Sequence, residues 1–400
     1  MNLFTNQPEM KKAPFLFASF LVIACISCTK DNTQPPYNLP TILQNVKGDI
    51  YTYAGNGNLG YKGNGGTATN SAISFPGQIA IDRSGNLFID DRYNNLILKV
   101  TTSGVIHAFA GNSFNSGTGH GGFSGDGGPA TNAELNNPTG VAVDHNGNVY
   151  IADYFNCRIR MVNTSGVIST IAGNGYDTAG GSGGFSGDGG PATAAEIGLP
   201  NGVAADLSGN IYIGDTYNMR IRKVNTGGII STFAGTGNGT NTWTDGIAAT
   251  AENIIFPFGV AVDNLNNVYF TNLNRICKVT TGGIIFCVAG NENAGYSGDG
   301  GPATAAELNG PLDMAIDEYG NLYIADNDNQ RIRMVTTAGI IKTVAGNGFV
   351  SEQTFLGSYS GDGGPATLAE LNSPYGIAID NAGYIYIGDL NNLRVRRVLR

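Results

Sequence analysis

Four copies of one acidic, glycine-rich stretch hold the residues best suited to chemistry: SGDGGPATNAEL at 124–135, SGDGGPATAAEI at 186–197, SGDGGPATAAEL at 297–308 and SGDGGPATLAEL at 360–371. Their aspartates, Asp126, Asp188, Asp299 and Asp362, could ring an opening and bind calcium or a cationic partner. Calcium takes roughly six to eight oxygens, more than one aspartate per copy supplies, and no cofactor or metal is assigned. The competing reading is turn chemistry: Gly-Asp-Gly-Gly provides positive φ angles, and an aspartate can bond its own backbone. Trp243, in a divergent fourth connector, joins the four aspartates as a candidate partner contact.

The three histidines are too scattered to cooperate. His107 falls in an outermost strand, His120 in a glycine-rich insert and His145 in a turn on the opposite face. That removes a zinc site and a nucleophile–histidine–acid constellation. A mechanism using carboxylates alone stays open, although no spacing selects a pair. A second recurrent pattern places Arg, or a substitute, five residues after Asp91, Asp153, Asp215, Asp326 and Asp389. The expected ion pairs are Asp153 with Arg158, Asp215 with Arg220, Asp326 with Arg331 and Asp389 with Arg394, and their expected role is to fix strand register. Cys277 and Cys287 flank a T-T-G-G turn. Pairing Thr280 with Ile284 sets them opposite each other, either as a cross-strand disulfide or as two buried thiols.

These residues recur because the chain does. The unit runs P-x-G-V-A-V-D, x-x-G-N-V-Y-I-A-D, N-x-R-I-R-x-V and T-x-G-x-I-x-T-x-A-G, and 137–173 shows it whole. Four segments rich in Val, Ile, Tyr and Thr, separated by Gly, Asn and Asp, read as four antiparallel strands. Asp82, Asp144, Asp206, Asp263, Asp317 and Asp380 mark six such units. Serial sheets that cannot each bury both faces predict an all-β, six-bladed β-propeller of four-stranded antiparallel blades. The last unit stops at RVRRVLR without its fourth strand, whereas an isolated copy of that strand opens the series at 48–55. The expected closure therefore has strand 48–55 completing the last blade, which also removes an exposed edge.

The tandem D-x-x-N-x-R-I-R units resemble the NHL repeat across 48–400, and the SGDGGPAT connector is similar to that of large extracellular NHL proteins. The resemblance implies a scaffold fold that serves protein binding, RNA binding, sensing and, in a few members, metal-dependent lyase chemistry. Blade four departs furthest, with Asn272 for the second-strand Asp and Cys277 for the second Arg; blade one has Leu96 and Leu98 in place of arginines. The connectors and the D-x-x-N turns share one face, and the strand-one connections are expected to bring the long inserts around the central opening. Thr131 with Glu134, Thr193 with Glu196, Thr304 with Glu307 and Thr367 with Glu370 have capping-box spacing, so each PATxAEL predicts a helical turn whose last Leu or Ile anchors in the core.

Residues 10–28 place two lysines before an apolar run and a cysteine, the layout of an export signal. They resemble a bacterial lipoprotein signal, with Cys28 preferred as the lipid attachment and Cys25 as the alternative. The expected divisions are a signal peptide at 1–28, a flexible proline-containing tether at 29–47 and the propeller at 48–400. A net charge of −9 argues against nucleic acid. The expected function is a lipid-anchored, extracytoplasmic binding scaffold of the outer membrane or cell surface, which recognises a protein or glycan of the envelope through the connector face. The alternative is a lyase or hydrolase with an acidic or metal site at the central pore.

Overall fold

The computed structural model describes residues 48–117, 120–176, 183–351 and 356–399. The signal, Cys25, Cys28 and the tether lie outside the described residues. Among those described, no helix is long and apolar enough to cross a membrane.

Six sheets follow one another along the chain, each containing a four-stranded antiparallel blade. Blade two is typical, with strands Pro138–Val143, Val149–Asp153, Arg158–Val162 and Ile168–Ala172. Its first turn is organised by Asp144. One carboxylate oxygen accepts the amides of Asn146 and Asn148, and the other accepts the Asn148 side-chain amide and the Tyr150 hydroxyl. The same arrangement at Asp206 and Asp263 explains the D-x-x-x-N-x-Y spacing: one carboxylate satisfies a turn and the hydroxyl buried beneath it.

The innermost strands of neighbouring blades touch all the way round, including Pro76–Ile81 of blade one against Pro374–Ile379 of blade six. In the sixth sheet, strand Asp49–Ala54 lies beside Arg394–Val398, with Ile50 opposite Val398 and Tyr51 opposite Arg397. The core is divided between blades. One cluster joins Phe88 and Ile97 of blade one to Val141, Val149 and Ile151 of blade two. Each fully buried aliphatic side chain contributes about 1.5–3 kcal/mol, so neighbouring blades stabilise one another.

The connectors take a path the sequence reading misplaces. They do not gather round the axis. Each runs first along the outer edge of the following blade: Gly127 donates to the Ile168 carbonyl, Gly189 to Ile230, Gly300 to Ile341 and Gly363 to Ile50, all at 2.8 Å. A fourth strand has unpaired outward peptide groups, and the connector satisfies them. The helical turns are present as single 3-10 turns such as Ala130–Asn132, but the capping boxes are not formed. Pro129 occupies the cap position and no side chain caps the turn; proline already fixes the entry φ. The Glu134 amide instead bonds the Ser124 hydroxyl. The terminal anchors Leu135, Ile197, Leu308 and Leu371 are buried.

Candidate functional site

In four blades the second arginine of R-I-R bridges two aspartates from different parts of the chain. Arg160 meets Asp126 at 2.8 Å and Asp153 at 3.2 Å; Arg222 meets Asp188 at 2.7 Å and Asp215 at 3.1 Å. Arg333 meets Asp299 at 2.7 Å and Asp326 at 3.2 Å; Arg396 meets Asp362 at 2.6 Å and Asp389 at 3.3 Å. All four guanidinium groups are fully buried. A planar fork can hold two carboxylates at once, and it thereby ties the connector to the end of the second strand.

This corrects the expected pairing. Asp153 is opposite Arg158 in backbone register, as are Asp215 and Arg220, Asp326 and Arg331, and Asp389 and Arg394. The ion pair nevertheless goes to the arginine two residues further on. Arg158 sits at the strand end, where it donates to the carbonyls of Asn156 and Asn174 and lies over the Phe123 ring at 3.7 Å. Phe185, Tyr296 and Tyr359 cover Arg220, Arg331 and Arg394 in the same way. Asp153, Asp215, Asp326 and Asp389 are pushed up to about 6 by burial, against the pull of their arginines.

The SGDGG aspartates are consumed by the same latch. Asp299 also accepts the Thr343 amide, and Asp362 the Thr52 amide, each at 3.0 Å from the outer strand. Asp188 accepts the Thr232 hydroxyl at 2.6 Å. Burial alone would raise Asp188 and Asp299, but the threonines and arginines hold both below the usual carboxylate range. Asp126, Asp188, Asp299 and Asp362 thus face inward onto arginine at the outer edge of their blades. They do not ring the pore. Trp243 is also used internally, packing on the blade-four core, donating to Asp245 at 2.9 Å and lying over Arg275 at 5.5 Å.

Blades one and four show how the latch is dismantled. Blade one replaces the bridging arginine by Leu98, and Asn64 takes the connector position, accepting the Ala108 amide at 3.1 Å. Asp91 remains and has no guanidinium partner among the described residues, and burial pushes it up to about 8. Blade four replaces the arginine by Cys277 and the second-strand acid by Asn272, which accepts the Ile255 amide at 2.8 Å. Cys277 and Cys287 are directly opposite and are free thiols. Burial raises both, Cys287 to about 11.

At the connector face the axis is stoppered. Gly140, Gly202 and Gly376 from the P-x-G motifs abut the carbonyls of Asn201, Phe258 and Gly77 of neighbouring blades, where a Cβ would overlap. Blades one and five carry Gln78 and Asp313 at that position, and the two side chains bond each other at 3.2 Å. Asp313 also accepts the Ile377 amide. Tyr375 of blade six donates to Asn201 of blade three at 2.9 Å, with Arg92 over its ring at 4.1 Å. Asp90 accepts the amides of Gly77 and Gln78. Burial lifts Asp90 to about 7 and Asp313 to about 8, so the stopper contains acids that hold protons near neutral pH. The break of P-x-G in blades one and five was the visible sign of this cluster; its cross-ring pairing was not.

The connector face also offers aromatic rings to solvent. Phe114, Phe155, Tyr176 and Tyr217 are exposed on the inserts and D-x-x-N turns of the first three blades. His120 stacks near Phe155 at 6.3 Å, while His107 lies in strand Ile106–Ala110 and His145 in a turn at the other end. Among the described residues no three His, Cys, Asp or Glu side chains are grouped to hold a metal ion.

A ring of blades latched by buried Asp–Arg–Asp bridges defines a six-bladed NHL-type propeller. The chain belongs to the NHL-repeat family: the Teneurin NHL domain matches residues 115–182, 171–243 and 287–357, together half of the chain. Teneurin-4 of Mus musculus is 32% identical over 227 residues, covering 52% of this chain. The match spans only 8% of that relative's own length. Two solved structures share the fold. A Bacteroides thetaiotaomicron protein of unknown function is 17% identical with a TM-score of 0.59, covering 87% of this chain and 75% of the other. An auxiliary nutrient binding protein from Bacteroides ovatus is 16% identical with a TM-score of 0.58 and the same coverage.

Proposed function

We propose that this propeller is an exported binding scaffold, held to the envelope by a lipid on Cys28 and recognising a protein or glycan through its connector face. The carrying observation is the exposed set Phe114, Phe155, Tyr176 and Tyr217. Rigid aromatic rings on polar, glycine-rich loops provide contact area at low conformational cost. The stopper beneath them works against a catalytic pore opening on that face. Similarity in fold to a protein described as nutrient binding supports an extracytoplasmic setting.

The test is capture from envelope extracts, alongside a panel of immobilised glycans, with the wild type and a Phe114→Ala, Phe155→Ala, Tyr176→Ala, Tyr217→Ala variant. Loss of at least tenfold in retained partner is expected, with the melting temperature nearly unchanged because these rings are exposed. Undiminished capture by the variant would show that another surface is responsible. Lipid attachment is tested separately: Cys28→Ser should release the protein into the soluble fraction, and continued membrane retention would move the anchor elsewhere.

A further inference from the structure

The opposite end of the axis is open. A cavity of about 290 Å³ lies among the first turns of blades one, four, five and six. It leads towards a channel of about 200 Å³ between the inner strands, whose floor is the Gln78–Asp313 pair. The inward edges of the inner strands pair with no other strand, because each stands at the end of its sheet. Peptide N–H and C=O groups therefore line the walls, and the channel is hydrophilic although its side chains are mostly Val, Ile and Ala.

The charges at this mouth divide into two kinds. Asp263, Asp317 and Asp380 each accept two amides of their own turn on one oxygen. The other oxygen accepts a tyrosine hydroxyl of the following strand. These acids are structural. Arg83 of blade one and Glu318 of blade five also line the cavity, yet among the described residues neither forms an ion pair or side-chain hydrogen bond, with each other or with any other group. Blade six stands between them. The side chains of Asn264 and Asn381, on the same walls, are likewise unengaged.

A guanidinium and a carboxylate held apart across one small polar cavity, with the Asn381 amide between them and the Asn264 amide beyond Glu318, are complementary to a molecule carrying both charges. We propose that this mouth is a binding site for small zwitterions, namely free α-amino acids with small or polar side chains and, by extension, dipeptides. The ligand carboxylate sits on Arg83, its ammonium on Glu318, and Asn264 and Asn381 orient the two. The side chain points down the hydrophilic channel. This site lies on the face opposite the aromatic set, so its fate is independent of the partner-binding proposal above.

The test is calorimetric titration of the whole protein with glycine, serine, glutamine and glycylglycine, with propionate and glucose as comparison ligands, in the wild type, Arg83→Gln and Glu318→Gln. Saturable binding of at least one amino acid or dipeptide is expected, weakened at least tenfold by either substitution, since each removes a charge-assisted hydrogen bond. Propionate, which has no ammonium, should respond to Arg83→Gln and be indifferent to Glu318→Gln. Both residues are exposed, and unchanged melting temperatures would confirm that the variants fold. Absence of saturable heat for every amino acid and dipeptide up to about 10 mM, a concentration set by the weakest affinities of interest, would overturn the proposal. So would equal affinity in the wild type and both variants, or binding of glucose alone.

Discussion

Replacing Arg222 by leucine should destabilise the protein by about 3–5 kcal/mol, the range for breaking a buried ion pair from one side. The guanidinium is fully buried between Asp188 and Asp215 and also donates to the carbonyls of Glu196 and Ser186. Removing it leaves Asp215, already lifted to about 6 by burial, without its cation. The connector loses its tie to the second strand at the same time. The chain itself supplies each half of the compensation: blade four combines Cys277 with Asn272 at the second strand, and blade one combines Leu98 with Asn64 in the connector. Arg222→Leu with Asp188→Asn and Asp215→Asn should therefore recover most of the loss. Denaturant unfolding of the single and triple variants measures it. A triple variant no more stable than the single one would mean that the arginine acts through packing and carbonyl contacts, not through charge.

The second large effect is a pH dependence traceable to Asp91. Its carboxyl is fully buried, accepts the Ser74 amide at 2.7 Å and the Asn94 side-chain amide at 2.8 Å, and is raised from 3.8 to about 8 by desolvation. In the unfolded chain it ionises near 3.8. An acid raised on folding contributes stability that is fully present below the unfolded value and is lost as the pH rises through the folded one. Asp313, raised to about 8, and Asp90, raised to about 7, act in the same direction. The melting temperature should fall steadily from about pH 4 to pH 8, the window these shifts define. Asp91→Asn should flatten that slope and stabilise the protein at pH 8 by roughly 2–5 kcal/mol, the scale of a shift this large. Asn272 in blade four shows that an asparagine fits, accepting the equivalent amide. A slope unchanged by the substitution would assign the pH dependence to the stopper acids instead.

Much of the architecture was legible because it repeats. Six copies of a four-strand pattern, each ending its first strand in an aspartate that nucleates a turn, announce blades and their number. Side-chain partners were less legible. Arg158 and Arg160 project from the same side of their strand, so spacing alone does not say which of them reaches Asp153; that is decided by the connector delivering Asp126 to the deeper position. The course of the connector was hidden for a related reason. Its partners are outward peptide groups of a strand about forty residues later, as when Asp299 meets Thr343, and backbone groups leave no residue-type signature. The channel mouth escaped notice because Arg83, Asn264, Glu318 and Asn381 occupy a variable turn position, filled by Arg, His, Leu, Asn, Glu and Asn in blades one to six. The absence of a repeat there was itself the signal.

Both faces, the stopper and the open mouth are defined only if the sixth blade takes its outer strand from the front of the propeller. Hydrogen–deuterium exchange read by peptide mass spectrometry measures this directly. Segments 49–54 and 394–398 should exchange together and as slowly as strand Ile385–Asp389, because amides in one cooperative sheet open in one event. Exchange of 49–54 within seconds, while 385–389 stays protected, would contradict it.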